Sequence, residues 1–188
     1  MKGFSQVPGE DFTETFSSVA KFTTLQAFLS IVAHEDLELH QIDMVSAYLR
    51  GDLDKEIYME VPKGVREEGK EGWQWKLLKA IYGLKQAGRQ WKAKLNKIMM
   101  SLGFEKSEAD NCLYILRKGG KVILLTLVYV DNMAVAGCSV AHIQVFKTNM
   151  AKQFDITDLG ELKYILGIQV VRDREKFTIS LNQTAYIQ

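Results

Sequence analysis

Between residues 121 and 130 every position is apolar except Lys121, Thr126 and Tyr129, and β-branched residues are common. Such a run predicts a strand buried on both faces. Asp131 and Asn132 interrupt it, and 133–136 resume it. An Asp-Asn pair between two apolar runs predicts a two-residue hairpin turn, because both residues tolerate left-handed backbone angles. Upstream, Phe22, Leu25, Leu29 and Val32 recur at spacings of three and four, which predicts a helix over 17–33. The stretch 37–44 predicts a strand that ends near Asp43. The stretch 52–71 is acid-rich and broken by Pro62, Gly64 and Gly69, so it reads as loop with one short strand at 57–61, paired with 73–78. Trp91, Leu95, Ile98 and Leu102 mark one face of a helix over 89–102, stopped by Gly103. Strands follow at 112–117 and 121–130, turned by Gly119-Gly120. A helix over 140–154 buries Ile143, Phe146 or Lys147, Met150 and Phe154. Strands at 166–172 and 177–181 complete the reading.

From residue 37 the predicted order is strand, helix, strand, strand, helix, strand. That is the split-βαβ pattern of an α+β fold: an antiparallel sheet with two helices on one face. It sets the first strand beside the hairpin and brings Asp43 and Asp131 to neighbouring strand ends. Alone, Asp131 is an ordinary polar turn residue. Two carboxylates held together repel unless a divalent cation lies between them. Oxygen ligands of this kind suit Mg²⁺, which accepts one or two protein carboxylates together with substrate phosphates. The pair therefore points to two-metal phosphoryl transfer.

Charge changes the picture locally, not globally. The 188 residues hold 24 Lys and Arg against 23 Asp and Glu, a formal net charge of +1. Yet residues 76–97 carry seven basic side chains and no acidic one, interleaved with Tyr82 and Trp91 and with Gly83 and Gly88. Two readings stand: a solvated helix face, or a track for a polyanion whose bases or sugars pack against the glycine segment. Apolar residues make up 47%, a globular composition with one sizeable core. No apolar run approaches the ~20 residues of a membrane span, and residues 1–12 lack the apolar segment of a signal peptide. Membrane partners are thus not expected. Cys112 and Cys138 have no metal-ligand spacing, and fit an intracellular, reducing compartment.

Several segments resemble one family. KGFSQ (2–6), ETFSSVAKFTT (14–24), LHQIDMVSAYLRGDLDKEIYMEVPKG (39–64), KLLKAIYGLKQAGRQW (76–91), GF (103–104), SEAD (107–110), LVYVDNMAVAG (127–137) and TDLGELKYILGIQVVRD (157–173) run in the order found in copia-type retrotransposon reverse transcriptases. The resemblance implies RNA- and DNA-templated DNA synthesis by a right-hand polymerase. Fingers elements would lie at 1–36 and 52–88, and the palm with a primer-grip segment at 37–51 and 89–188. No thumb, ribonuclease H, integrase or protease segment is recognisable in these residues. Expected partners are a primer–template, deoxynucleoside triphosphates and the remainder of a Pol polyprotein.

Carried over residue by residue, Asp43 resembles the first catalytic aspartate and a ligand to both Mg²⁺ ions. Met44 would offer its backbone carbonyl. Tyr48 resembles the gate against a ribose 2′-hydroxyl. Asp131 resembles the first aspartate of the Tyr-Val-Asp-Asp turn and the second metal-binding residue. Gly83, Lys85 and Gln86 resemble the cradle for nucleotide and template, with Arg89 beside them on the nucleic-acid track. Lys21 resembles a basic residue facing the triphosphate, and Leu166-Gly167 the turn that grips the primer end. The chain departs from the family at Asn132, which stands in place of the second turn aspartate. It also departs at Gln26 and Gly88, where arginine and proline are frequent. Loss of one of two Mg²⁺ ions follows from Asn132, and with it impaired synthesis. The alternative is a catalytically dead relic that still binds nucleic acid, or a decayed fragment with no role.

The remaining polar residues read as structural. His34 and His40 do not form a metal pair. Glu35, Asp36 and Glu38 read as solvated, Asp110 as a cap or turn residue, and Asp52 and Asp54 as loop residues. Asp155, Asp158 and Glu161 read as turn and cap residues before the primer-grip segment.

Overall fold

A computed structural model describes residues 3–65, 69–70 and 72–184. Lys2 of the first motif and residues 66–68 and 71 of the acid-rich loop lie outside the described residues. The chain divides into two compact units, Met1–Ser17 with Ser46–Lys97, and Ser18–Val45 with Ile98–Gln188.

The second unit is built on strands β1 (Glu38–Met44), β4 (Phe104–Lys106), β5 (Leu113–Lys118), β6 (Lys121–Tyr129), β7 (Asn132–Gly137) and β8 (Ile156–Glu161). They form one six-stranded sheet in the order β4-β5-β6-β7-β1-β8, antiparallel at every step. β7 lies between β1 and β6, so the split-βαβ order is present. Strands 104–106 and 156–161 were not expected. The first is short, and the second has Asp158, Gly160 and Glu161 where an apolar pattern would stand. Asp158 and Glu161 are therefore strand residues, not turn residues.

Odd positions of β6 and even positions of β7 face helix α1 (Phe22–His34). There Leu25, Phe28, Leu29 and Val32 bury against Leu39, Leu125, Leu127, Ala134 and Ala136. Helix α3 (Val140–Ala151) packs on β1, β6, β7 and β8 from the other face, burying Ile143, Phe146 and Met150. A Cβ on Gly137 would lie 2.7 Å from the Leu124 side chain of β6 and 3.1 Å from that of Ile143 in α3, so a glycine there lets strand and helix pack this closely. α1, which precedes the split-βαβ elements, covers the second face. The reason is legible in β6, where Leu124–Val128 are all buried and both faces need cover.

α1 starts five residues later than periodicity predicts. Asp110, only 5% exposed, accepts from the backbone N–H of Lys21 and the hydroxyl of Thr24, while its other oxygen takes the N–H of Cys112. A carboxylate from a distant turn thus caps the helix at Lys21. A three-stranded sheet, β11-β10-β9, adds β9 (Tyr164–Ile165), β10 (Ile168–Asp173) and β11 (Thr178–Asn182). Asp36 and Glu38 are not merely solvated: Arg172 and Arg174 pair with Asp36, and Arg174 with Glu38.

In the first unit, β2 (Tyr58–Glu60) pairs with β3 (Gln74–Lys76), as expected. The division between units falls inside helix α2 (Ala87–Ser101), which buries Trp91, Leu95 and Met99 and ends before Gly103 at φ +86°. Among the described residues no helix is long and apolar enough to cross a membrane.

Candidate active site

β1 and β7 pair with Asp43 opposite Asn132, and β6 and β7 pair with Tyr129 opposite the same Asn132. The two turn residues are therefore Val130 and Asp131, not Asp131 and Asn132. Val130 takes the left-handed angle, at φ +58°. A β-branched residue is disfavoured there, and nothing local in the sequence marks it. Register overrides propensity: Asn132 is held from both sides, so the turn closes one residue earlier.

This pairing puts Asp43 and Asp131 at the same end of the sheet. The backbone N–H of Met44 donates to the Asp131 carbonyl at 2.9 Å, which fixes the turn to the end of β1. Both aspartates are half-buried. Burial raises the Asp43 pKa above the usual carboxylate range, and the Asp131 charge raises it further. Two carboxylates set this close, with one raising the pKa of the other, are a donor set that a hard divalent cation suits. Among the described residues no group of three or more His, Cys, Asp and Glu side chains could hold a metal ion.

Asn132 is engaged elsewhere. Gln41 precedes Asp43 by two residues, so both point to the face of β1 that meets α1. The Gln41 Nε2 donates to Asn132 Oδ1 at 2.8 Å. Sequence reasoning missed this contact, although the alternation of Leu39, Gln41 and Asp43 contains it. On the same face, Lys21, Phe22, Leu25, Leu127, Tyr129 and Leu166 line a cavity of about 180 Å³. It brings Lys21 and Leu166, two of the expected contacts, around the strand that leads to Asp131. Leu166 and Gly167 form a turn with φ of +52° and +76°.

The candidates of the first unit are arranged differently. Gln86 is fully buried; its Oε1 accepts from Gln6 Nε2, and its Nε2 donates to the Asp11 carbonyl. Lys85 donates its backbone N–H to Gln6 Oε1 and its Nζ to the Gln6 carbonyl, and Nζ lies over the Phe12 ring. A Cβ on Gly3 would fall 1.7 Å from the Gly83 carbonyl oxygen. The missing side chain of Gly3 thus lets this chain's own residues 3–12 lie against Gly83, and Gln86 braces that contact from inside. Tyr48 stacks at a tilt on Tyr82, ring centroids 4.8 Å apart, with Gly88 beside it. The basic segment is also less bare than its sequence: Lys76 pairs with Glu56, Lys79 and Lys94 with Asp52, and Arg89 with Glu14.

A second polar cluster lies under α3. Lys147, 3% exposed, donates to Asp158 at 2.5 Å and contacts His40 Nδ1 at 2.8 Å. Its signal was a lysine on the apolar stripe of α3. Burial lowers the His40 pKa, and the Lys147 charge lowers it further.

The profile of the family "Reverse transcriptase (RNA-dependent DNA polymerase)" matches residues 1–188, and the chain belongs to that family. It is 42% identical over all of its 188 residues to the retrovirus-related Pol polyprotein from transposon TNT 1-94 of Nicotiana tabacum. It is 36% identical over 186 residues, 99% of the chain, to the corresponding polyprotein from transposon RE1 of Arabidopsis thaliana. With that from transposon RE2 of the same plant it shares 34% over 171 residues, 91% of the chain. The chain spans only 12–14% of the length of these three relatives. No solved structure matches it.

Proposed function

We propose that this chain is the fingers-and-palm part of a copia-type reverse transcriptase, with fingers elements at 1–36 and 52–88 and palm at 37–51 and 89–188. The observation that carries this is Asp43 and Asp131 meeting at one end of the sheet, close enough for one charge to raise the pKa of the other. Asp43 and Asp131 would hold Mg²⁺, which when bound acidifies a primer 3′-hydroxyl and neutralises the pyrophosphate that leaves. The chain's own residues position the reactants. Lys21 lies exposed at the start of α1 and would meet the triphosphate. Tyr48 would limit space at the sugar, and Met44 would offer its carbonyl. Gly83, Lys85 and Gln86 would shape the cradle, with Lys85 and Arg89 towards phosphate and Leu166-Gly167 at the primer end. Substrates are deoxynucleoside triphosphates and a primer–template, in the setting of a longer Pol polyprotein.

Asn132 favours a second reading, in which nucleic acid is bound and not copied. It supplies a neutral amide whose oxygen already accepts from Gln41. An amide is a weaker ligand for a hard cation than a carboxylate. The test is a matched pair of chains, unmodified and Asn132→Asp, assayed for primer extension in Mg²⁺ and in Mn²⁺. The expected result is weak or absent extension by the first and a sharp rise in the second, with equal primer–template affinity. Equal, strong extension by both would show that the amide does not impair synthesis. Absence of extension and of primer–template binding in both would refute the polymerase reading.

A further inference from the structure

We propose that Gln41 is a positioning residue that decides what Asn132 presents to a cation; this rests on the metal-site reading of Asp43 and Asp131. The register is the starting point. Asn132 lies opposite Asp43, and Gln41 lies opposite Ala134, two residues further into the sheet. The bond from Gln41 Nε2 therefore draws the Asn132 oxygen inwards, away from the turn that carries Asp131. The amide is planar, so its NH₂ is left on the side of the two carboxylates. Charge favours this orientation. Flipping both amides would keep their mutual hydrogen bond and turn an oxygen lone pair towards two anions. As built, the oxygen is held on Gln41 instead.

The consequence is a site in which the Asn132 oxygen is spent on Gln41 and withheld from a cation. To serve as a ligand, Asn132 must break with Gln41 and rotate its amide. Asp in the same place would face no such conflict. A carboxylate can accept from Gln41 with one oxygen and bind a cation with the other. The sign of a change at Gln41 should therefore depend on what stands at position 132.

The experiment is a Mn²⁺ titration of the 188-residue chain, following the resonance of unbound Mn²⁺ by electron paramagnetic resonance. Four chains are compared: unmodified, Gln41→Met, Asn132→Asp, and both changes together. Gln41→Met keeps the length of the side chain and removes the donor; Gln41→Leu replaces it if that variant does not fold. With Asn132 in place, loss of the Gln41 donor is expected to tighten Mn²⁺ binding about fivefold, the scale of one hydrogen bond released. In the Asn132→Asp background the same change should not tighten binding. An unchanged affinity of Gln41→Met beside Asn132, or equal tightening in both backgrounds, overturns the proposal. If Asn132→Asp binds more tightly but Gln41→Met changes nothing, the role of Gln41 fails and the carboxylate site stands. If no chain binds Mn²⁺, the site itself fails and this inference with it.

Discussion

Replacing Asp110 tests whether one carboxylate sets the start of α1 and the place of Lys21. Asp110 accepts from Lys21 N–H at 3.0 Å, Thr24 Oγ1 at 2.6 Å and Cys112 N–H at 2.8 Å. Asp110→Ala removes a helix cap, about 1 kcal/mol. It also strands buried donors that had a charged acceptor, a further ~2 kcal/mol. The total, about 3 kcal/mol, should lower the urea midpoint by roughly 1 M at the slope usual for a chain of this size. Asp110→Asn keeps one acceptor oxygen and should cost about half as much. The pH dependence gives an independent check. Burial would raise the Asp110 pKa, but the bonds from Thr24, Lys21 and Cys112 outweigh it and hold the group below its ordinary value. A carboxylate with a depressed folded pKa stabilises above its unfolded pKa, near 3.9, and loses that contribution as pH falls through the lower folded value. Asp110→Asn should therefore flatten the acid limb of the stability profile below about pH 4. Midpoints within ~0.2 M of the unmodified chain for both variants, with an unchanged acid limb, would refute the capping argument.

Val130→Asn should raise stability by about 1 kcal/mol in thermal unfolding, because asparagine accepts the left-handed angle that valine holds at a cost; a fall would show that the valine side chain matters more than its backbone. His40 should give a second pH signature. Burial and Lys147 depress its pKa, against the smaller opposing charges of Asp158, Glu38 and Glu161. Its contribution is full above the unfolded value, near 6.5, and is lost as pH falls below it, so the urea midpoint should drop between pH 7.5 and about 5.5. His40→Gln should shrink that drop, and an identical drop in the variant would remove His40 as its source.

Most elements of the sheet were legible because their periods are clean. β6 is apolar throughout, and β1 alternates Leu39, Gln41 and Asp43 against Ile42 and Met44. Pairing of β1 with the hairpin followed from strand order and was enough to bring Asp43 to Asp131. The turn was misplaced by one residue, since propensity sees Asp131-Asn132 and only the two-sided register of Asn132 selects Val130-Asp131. β8 was missed because an edge strand carrying Asp158 and Glu161 has no apolar alternation to show. The basic segment looked uncompensated because its carboxylates, Glu14, Asp52 and Glu56, come from outside it. The bracing of residues 3–12 by Gln86 was not legible, because sequence cannot distinguish an amide aimed at solvent from one bonded to Gln6 and Asp11.

The double pairing of β7 also bears on how such a gene can decay. Along a strand, side chains alternate faces, so loss of one codon inside β1 would turn Asp43 towards α3 and Ile42 towards the carboxylates. Fold and site would fail together, and the product would be cleared as unfolded chain. A base change at position 132 has no such reach: the asparagine still pairs with Asp43 and Tyr129, and every strand around it keeps its place. Shortening within β1 is therefore visible to the cell as misfolding, whereas replacement at position 132 leaves the fold unmarked.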